Sequence, residues 1–202
     1  MSDSPAPAVE APKNRVILIG VIAFIATCVL LLIAGIAMGG NMGQSEPGFP
    51  LQETPLTLED GSSQVTLLTA DKEDWIPFSF ELGRVVPKGT IADIYIRRYQ
   101  FQAPRGAIDL GEVPLADATV SPNATWREDS DVDGVMVNPA IERWYSYSYM
   151  SHLLSSKNHS YAVQLASGKN VYLQVVSYYC EPEGTGCLTL RYRIDTPTED
   201  DA

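Results

Sequence analysis

Alternating apolar and polar positions near the end of the chain predict an antiparallel β meander. Three runs, SYAVQLAS, NVYLQVVSYYC and CLTLRYRI, alternate with period two and are separated by turn residues. A register centred on residues 183–184 places Val175 opposite Tyr192, and the preceding turn places Val163 opposite Leu173. One apolar face then runs across all three strands, and a slip of one residue would invert it.

Earlier segments show the same β pattern. Residues 63–70, 74–86 and 92–104 are rich in β-branched and aromatic side chains. Residues 107–142 are harder to assign, and no sustained helical period follows residue 39. The sequence therefore predicts an all-β domain, a mainly antiparallel sheet or sandwich, preceded by one N-terminal transmembrane α-helix.

That helix is predicted by a single long apolar segment. Residues 16–38 carry no charge and no proline, and about 20 such residues cross a bilayer. A cleavable signal peptide has a shorter apolar region of about 7–15 residues, which favours a retained anchor. Lys13 and Arg15 precede the segment, and no further Lys or Arg occurs until Lys72. We therefore expect a single-pass protein of a bacterial cell membrane, with a cytoplasmic N-terminus and a periplasmic C-terminal domain.

The same helix contains a small-residue motif. Gly35 and Gly39 are four residues apart, a spacing that allows close contact between membrane helices. Two interpretations stay open: packing against other transmembrane subunits of a larger complex, or a passive anchor in the lipid bilayer, where glycine is common in any case.

Composition and pattern together divide the chain into five segments. They are a disordered cytoplasmic tail (1–15), the transmembrane helix (16–39), a Pro/Gly-rich linker (40–63), the β domain (64–196) and an acidic tail (197–202). The net charge of −11 lies entirely beyond the helix, where 23 acidic and 12 basic residues follow residue 42. Such an acidic domain repels phosphates, so nucleic-acid binding is not expected.

Two cysteines flank the Pro/Gly loop of the last hairpin. The predicted register places Cys180 directly opposite Cys187, within reach of a bond, in a compartment where disulfides persist. Zinc would need further Cys or His ligands nearby, and redox pairs usually have two intervening residues. We predict a disulfide.

One acidic motif resembles the start of a calcium loop. Asp129, Asp131 and Asp133 alternate and are followed by Gly134, which suits a hard cation. The position that requires a bidentate Glu is Ala140, however, and no helix flanks the loop. Calcium binding and a plain acidic surface loop are both retained as interpretations.

The histidines are the candidate haem ligands. In strand phase, residues 143–154 place Met150 and His152 on one face and three tyrosines on the other, and His159 follows. Histidine and methionine both serve as axial haem ligands, and an aromatic surface suits a flat macrocycle. A packed, hydrogen-bonded histidine is the alternative. No catalytic motif is present, so we expect no enzymatic activity.

Residues 138–180, followed by GCLTLRY, resemble the HmuY-like family. The similarity lies in a Trp-Tyr-x-Tyr segment leading to Ser-His, a Gly-Lys turn, a strand ending in Ser-Tyr-Tyr, and a closing Arg-Tyr strand. It extends over roughly residues 65–195. The resemblance implies an all-β domain, and some members are surface haem-binding proteins that hold haem between two axial side chains. It also implies a structural role for His152, whose segment is common to the fold.

Three functions are consistent with these observations. The first is a membrane-anchored extracytoplasmic module that binds haem or a related tetrapyrrole. The second is a non-catalytic accessory subunit that docks by its helix into a larger membrane complex and covers its periplasmic face. The third is a calcium-stabilised recognition module.

Overall fold

Backbone pairing in the described part of the chain is almost entirely antiparallel. The structure is a computed structural model, and it describes residues 19–31, 46–70 and 73–195. These fall into two units that divide between Ser45 and Glu46. The first contains a helix over residues 19–31 and the second is the β domain.

The described helix tests the predicted membrane segment only in part. Within residues 19–31, 46–70 and 73–195, no helix is both long and apolar enough to cross a membrane. The predicted span, 16–39, continues beyond the described helix on both sides. Gly35 and Gly39 lie outside the described residues, whereas Cys28 lies within the helix as a free thiol.

One sheet of seven strands forms the centre of the β domain. Its strands are β1 (Gly48–Phe49), β2 (Gln52–Thr57), β3 (Ser63–Leu68), β8 (Ala107–Asp109), β13 (Ser160–Gln164), β14 (Asn170–Cys180) and β15 (Thr185–Ile194). Their order is β2-β3-β15-β14-β13-β8, and β1 pairs in parallel with the end of β14. The predicted meander is therefore the middle of this sheet.

A smaller sheet of four strands accompanies it. The strands are β4 (Ile76–Ser79), β5 (Arg84–Val85), β6 (Ile94–Arg97) and β7 (Gln100–Gln102), in the order β5-β4-β6-β7. Two separate hairpins and one 3-10 turn complete the domain: β9 (Ser130–Val132) with β10 (Val135–Val137), β11 (Tyr145–Tyr147) with β12 (Leu154–Ser156), and Leu115–Asp117.

The two sheets share one apolar core. Phe78 and Phe80 meet Tyr192 of β15 edge to face, with ring centroids 6.5 and 4.9 Å from the Tyr192 ring. The buried carboxylate of Asp93 joins the sheets through hydrogen bonds, since it accepts the backbone N–H of Phe80 at 2.9 Å and of Ala166 at 3.1 Å. This packing confirms the predicted all-β, sandwich-like architecture.

Over residues 171–175 of β14 the core face of the meander is as predicted, but the register there differs by two residues. Val175 pairs with Leu190, not with Tyr192, and Leu173 pairs with Tyr161, not with Val163. Two irregularities between Val175 and Tyr179 alter the pairing of β14 toward the last hairpin, and the preceding turn is centred one residue earlier than expected. Because side chains alternate with period two, an even displacement leaves the same residues in the core.

Three predicted segments are corrected by the structure. The linker, residues 40–63, contains β1 and β2, which are strands of the large sheet. The single strand predicted over 92–104 reverses at Arg98, whose φ is 56°, and forms the β6–β7 hairpin. Residues 143–154 likewise form a hairpin and not one strand, so their faces are not those of a continuous strand.

Candidate functional site

The β11–β12 hairpin is the element that positions His152. Tyr145 pairs with Ser156 and Tyr147 with Leu154. The hairpin tip, residues 148–152, is closed by hydrogen bonds from the N–H of His152 to the Ser148 carbonyl at 2.8 Å and from the N–H of Ser148 to the Leu153 carbonyl at 2.9 Å. His152 adopts a positive φ of 58°, which turns the chain back into β12.

Trp144 supports the base of this hairpin. Its side chain is only 1% exposed, and its indole N–H donates to the Tyr99 carbonyl at 2.9 Å. Its ring lies edge to face with Tyr145, centroids 5.3 Å apart, and Tyr145 meets Tyr99 in the same way at 5.5 Å. The hairpin is thereby held against the β6–β7 turn.

A concave site opens between the hairpin, the β6–β7 turn and the end of β14. This tyrosine cavity has a volume of about 430 Å³. Its walls are five tyrosines together with a histidine, an arginine and two smaller side chains: Tyr99, Tyr145, Tyr147, Tyr178, Tyr179, His152, Arg98, Leu154 and Thr185. The site is therefore aromatic, with one imidazole and one cation.

The polar groups of the cavity are held in defined positions. The Tyr147 hydroxyl lies 2.5 Å from Nδ1 of His152, so the other ring nitrogen, Nε2, is the one available to a ligand. Such a hydrogen bond on the opposite nitrogen also orients metal-binding histidines. The Tyr179 hydroxyl accepts the N–H of Leu154 at 2.7 Å.

Burial raises the pKa of two of the cavity phenols, Tyr145 and Tyr179. Desolvation raises the pKa of Tyr145, and the neighbouring Tyr99 and Glu142 raise it further. Desolvation likewise raises the pKa of Tyr179, against a lowering by the hydrogen bond from Leu154. These two side chains therefore remain hydroxyl groups and not phenolates at neutral pH.

Of the three candidate haem ligands, only His152 lines the tyrosine cavity. Met150 lies at the hairpin tip with 87% of its surface exposed. His159 is elsewhere, with Nδ1 3.0 Å from both carboxylate oxygens of Asp109. The sequence did not indicate Arg98, Tyr99 or Tyr178 as site residues, and the structure adds them.

The calcium motif forms a tight turn. Asp133 and Gly134 have φ values of 53° and 82° and connect β9 to β10 as a two-residue hairpin turn, for which Asp-Gly is a preferred sequence. Asp129 accepts hydrogen bonds from the Ala103 N–H and the Asn138 amide, and Asp131 accepts the N–H of Gly134. No group of three acidic, Cys or His side chains in residues 19–31, 46–70 and 73–195 is arranged to hold a metal ion, so calcium at this loop is not supported.

The predicted disulfide is confirmed. Cys180 and Cys187 are bonded, with Cα atoms 4.8 Å apart. The bond closes the end of the β14–β15 hairpin, where Tyr179 and Thr185 line the tyrosine cavity. The disulfide therefore fixes one wall of the candidate site.

Known structures with the same architecture identify the fold. A protein of Bacteroides vulgatus ATCC 8482, named for HmuY-like haem binding, superimposes with a TM-score of 0.56 at 19% identity, covering 70% of this chain and 96% of its own. The β domain has an HmuY-like fold. The apo HmuY analogue TFO of Tannerella forsythia aligns with a TM-score of 0.57 at 15% identity, over 67% of this chain and 96% of its own.

Apo PinO of Porphyromonas gingivitis aligns with the HmuY-like domain as well, with a TM-score of 0.56 at 14% identity, over 68% of this chain and 98% of its own. No protein-family model and no curated protein sequence matches the chain. At these identities the similarity shows the fold, and the function has to be argued from the tyrosine cavity itself.

The cavity residues of the HmuY-like domain fit one side of a haem. His152 offers a nitrogen donor whose ring is oriented by Tyr147, the tyrosines offer flat apolar faces with polar tips, and Arg98 offers a cation suited to a carboxylate. Neither His159 nor Met150 is among its walls, so the tyrosine hydroxyls are the other wall groups of a type that can bind haem iron.

Proposed function

We propose that this chain is a non-enzymatic, membrane-anchored protein whose HmuY-like domain lies outside the cytoplasm and binds haem or a related tetrapyrrole in the tyrosine cavity. The observation that carries the proposal is the convergence of His152, Arg98 and five tyrosines on one cavity of about 430 Å³. Concave, aromatic sites with few oriented polar groups are typical of cofactor binding.

Each residue type has a separate task in this proposal. His152 would hold the haem iron through Nε2, the ring nitrogen that does not face the Tyr147 hydroxyl. The tyrosines cover the faces of the macrocycle, and Arg98 pairs with a peripheral carboxylate. Met150, two residues from His152, lies outside the cavity walls and has no task in holding the ligand.

Membrane anchoring is part of the proposal. It is supported by the uncharged segment 16–38 with Lys13 and Arg15 before it. The disulfide between Cys180 and Cys187 also supports an oxidising, periplasmic location for the domain.

Haem titration of the full chain in detergent tests the tetrapyrrole site. We expect a Soret band that saturates at one haem per chain, and a dissociation constant raised about tenfold or more in His152→Ala, because the imidazole of the cavity is lost. His159→Ala is the matched control, since its imidazole pairs with Asp109 outside the cavity, and it should bind as the unmodified protein does. An unchanged spectrum at micromolar haem would exclude the site, and so would an equal loss of haem affinity in His152→Ala and His159→Ala.

We infer a second candidate function, an accessory subunit of a larger membrane complex, from the described part of the helix. Gly20, Ala23 and Thr27 lie on one helical face, and the Thr27 hydroxyl donates to the Ala23 carbonyl at 2.9 Å. A face of small side chains with its polar group already satisfied permits close packing by a neighbouring transmembrane helix.

Purification from native membranes in a mild detergent tests this second function. The accessory role predicts other membrane subunits in constant ratio with the chain, and their loss when Gly20 and Ala23 are both replaced by leucine. Ile19→Leu is the matched control, because it keeps a large side chain where one already lies. Recovery of a lone monomer from unmodified membranes would contradict the accessory role.

A further inference from the structure

The tip of the β11–β12 hairpin exposes an unusual set of side chains for an acidic domain. Residues 144–156 contain no Asp, Glu, Lys or Arg. Tyr149 is 84% exposed, Met150 87% and Tyr147 42%, and the Tyr147 and Tyr149 rings pack edge to face at 5.1 Å. Aromatic and thioether groups are thus presented together, away from the domain core and without neighbouring charges in the chain.

The leading segment of the domain, residues 46–49, lies at the same end. Its strand β1 pairs Gly48 with Tyr179, a wall of the tyrosine cavity. The Ser177 hydroxyl donates to the Pro47 carbonyl at 2.5 Å. Glu46 accepts a hydrogen bond from the hydroxyl of Ser155, which belongs to β12 of the hairpin.

Few residues separate this end from the apolar N-terminal segment. The predicted span ends at residue 39 and the leading segment begins at Glu46, so seven residue steps reach at most about 25 Å when fully extended. A bilayer that holds the span would therefore be within short reach of the end of the domain where the hairpin lies.

We infer that the tip, through Tyr149 and Met150 and with the adjoining Tyr147 of β11, inserts into the headgroup layer of the bilayer that anchors the chain. The inference rests on the proposed anchoring. Tyrosine is enriched at membrane interfaces, where its ring is buried and its hydroxyl stays hydrated. The charge pattern agrees with this inference. The domain and its acidic tail carry a net charge of −11 and would be repelled by anionic lipids, whereas the tip carries no charged side chain.

Insertion of the tip would place the tyrosine cavity beside the lipid surface. Tyr147 belongs both to the exposed tip surface and to the cavity walls, and His152 ends the tip. A flat ligand with apolar faces and a polar edge could then pass between the bilayer and the cavity without crossing bulk water. The ligand class proposed above is of this kind.

A fluorescent probe at position 150 tests the insertion. In the full chain with Cys28→Ser, Met150→Cys is labelled with an environment-sensitive dye and reconstituted into phosphatidylcholine vesicles with headgroup-proximal brominated lipid. We expect blue-shifted emission and quenching of roughly twofold, as for an interfacial side chain. Ile91→Cys is the matched control, since Ile91 is 68% exposed and precedes β6, whose opposite end borders the cavity; its probe should remain unquenched.

The outcomes separate this inference from the anchoring on which it rests. Flotation of the chain with vesicles reports anchoring, and its failure would remove the anchor itself. Flotation with a fully water-exposed probe at position 150 would overturn the insertion alone. Equal quenching at positions 91 and 150 would indicate general adsorption and overturn it too. If the probe at position 150 is shielded from water in native membranes but not in pure lipid vesicles, the tip contacts a protein partner and not lipid. That result would also overturn the inference.

Discussion

Trp144→Ala is expected to lower the free energy of unfolding of the β domain by about 4 kcal/mol, within the 3–5 kcal/mol typical of removing a buried aromatic side chain. Trp144 is 1% exposed and is among the largest fully buried side chains of the described residues. Its loss leaves a void under the β11–β12 hairpin and deprives the Tyr99 carbonyl of its indole donor. A part-buried carbonyl without a partner adds to the cost.

Thermal unfolding of the full chain in detergent measures this effect. For a domain of this size, each kcal/mol corresponds to roughly 2–4 °C, so the midpoint should fall by about 8–16 °C. Trp144→Phe is the matched control: it keeps an aromatic ring and removes mainly the N–H donor, at about 1–2 kcal/mol. Equal shifts in the two variants would contradict a cavity as the main cause.

The effect should extend to the candidate site, because Trp144 supports residues that form it. Tyr145 packs on the Trp144 ring and lines the cavity, and the Trp144 carbonyl accepts the N–H of Lys157 at 3.0 Å where the hairpin ends. A loosened hairpin would displace His152 without altering it chemically.

The core faces of the meander were predictable from sequence because burial imposes period two on each strand. Leu173, Val175, Leu190 and Tyr192 are all buried as expected, although their pairing is displaced by two residues. Alternation specifies the face of each side chain, but the irregularities of β14 and the length of a turn set the pairing, and those leave little trace in a hydrophobic pattern.

The candidate site was predictable only in part, because it depends on two chain reversals that occur at non-glycine residues. Arg98 and His152 both adopt positive φ, which is uncommon for such side chains and carries no local sequence signal. The cavity then joins residues from positions 98 to 185 along the chain. One available signal agreed with the plain surface loop: the Asp-Gly at 133–134, flanked by valines, is typical of the two-residue hairpin turn that the structure shows.

The pairing of β1 could not be predicted from the hydrophobic pattern either. Two residues, Gly48 and Phe49, are too few to show alternation, and Gly48 is needed because a Cβ there would collide with the backbone carbonyl of Cys180. The Pro/Gly composition that suggested a linker is therefore, at Gly48, a requirement of close strand packing.

Replacing both Cys180 and Cys187 by serine is expected to lower the free energy of unfolding by about 2–3 kcal/mol, the chain-entropy value for so short a closed loop. Cys187 is 1% exposed, so a serine hydroxyl there adds a desolvation cost. The expected result is a lower denaturation midpoint for the double variant and for the reduced unmodified protein. Cys28→Ser, at the free thiol, should leave the midpoint unchanged.

The disulfide should also hold the leading segment, because Cys180 pairs with Phe49 and the Glu181 N–H donates to the Phe49 carbonyl at 3.0 Å. Without the bond, hydrogen exchange should quicken first at Glu181 and at the Cys180 N–H, which donates to the Gly184 carbonyl, while Leu173 and Leu190 in the core of the sheet stay protected. Adding a reductant should then raise these exchange rates in the unmodified protein but not in the double variant.

A uniform rise in exchange across β14 would show that the bond stabilises the domain as a whole and not this end in particular. Unchanged exchange at Glu181 would show that the leading segment is held by its own hydrogen bonds to Ser155 and Ser177.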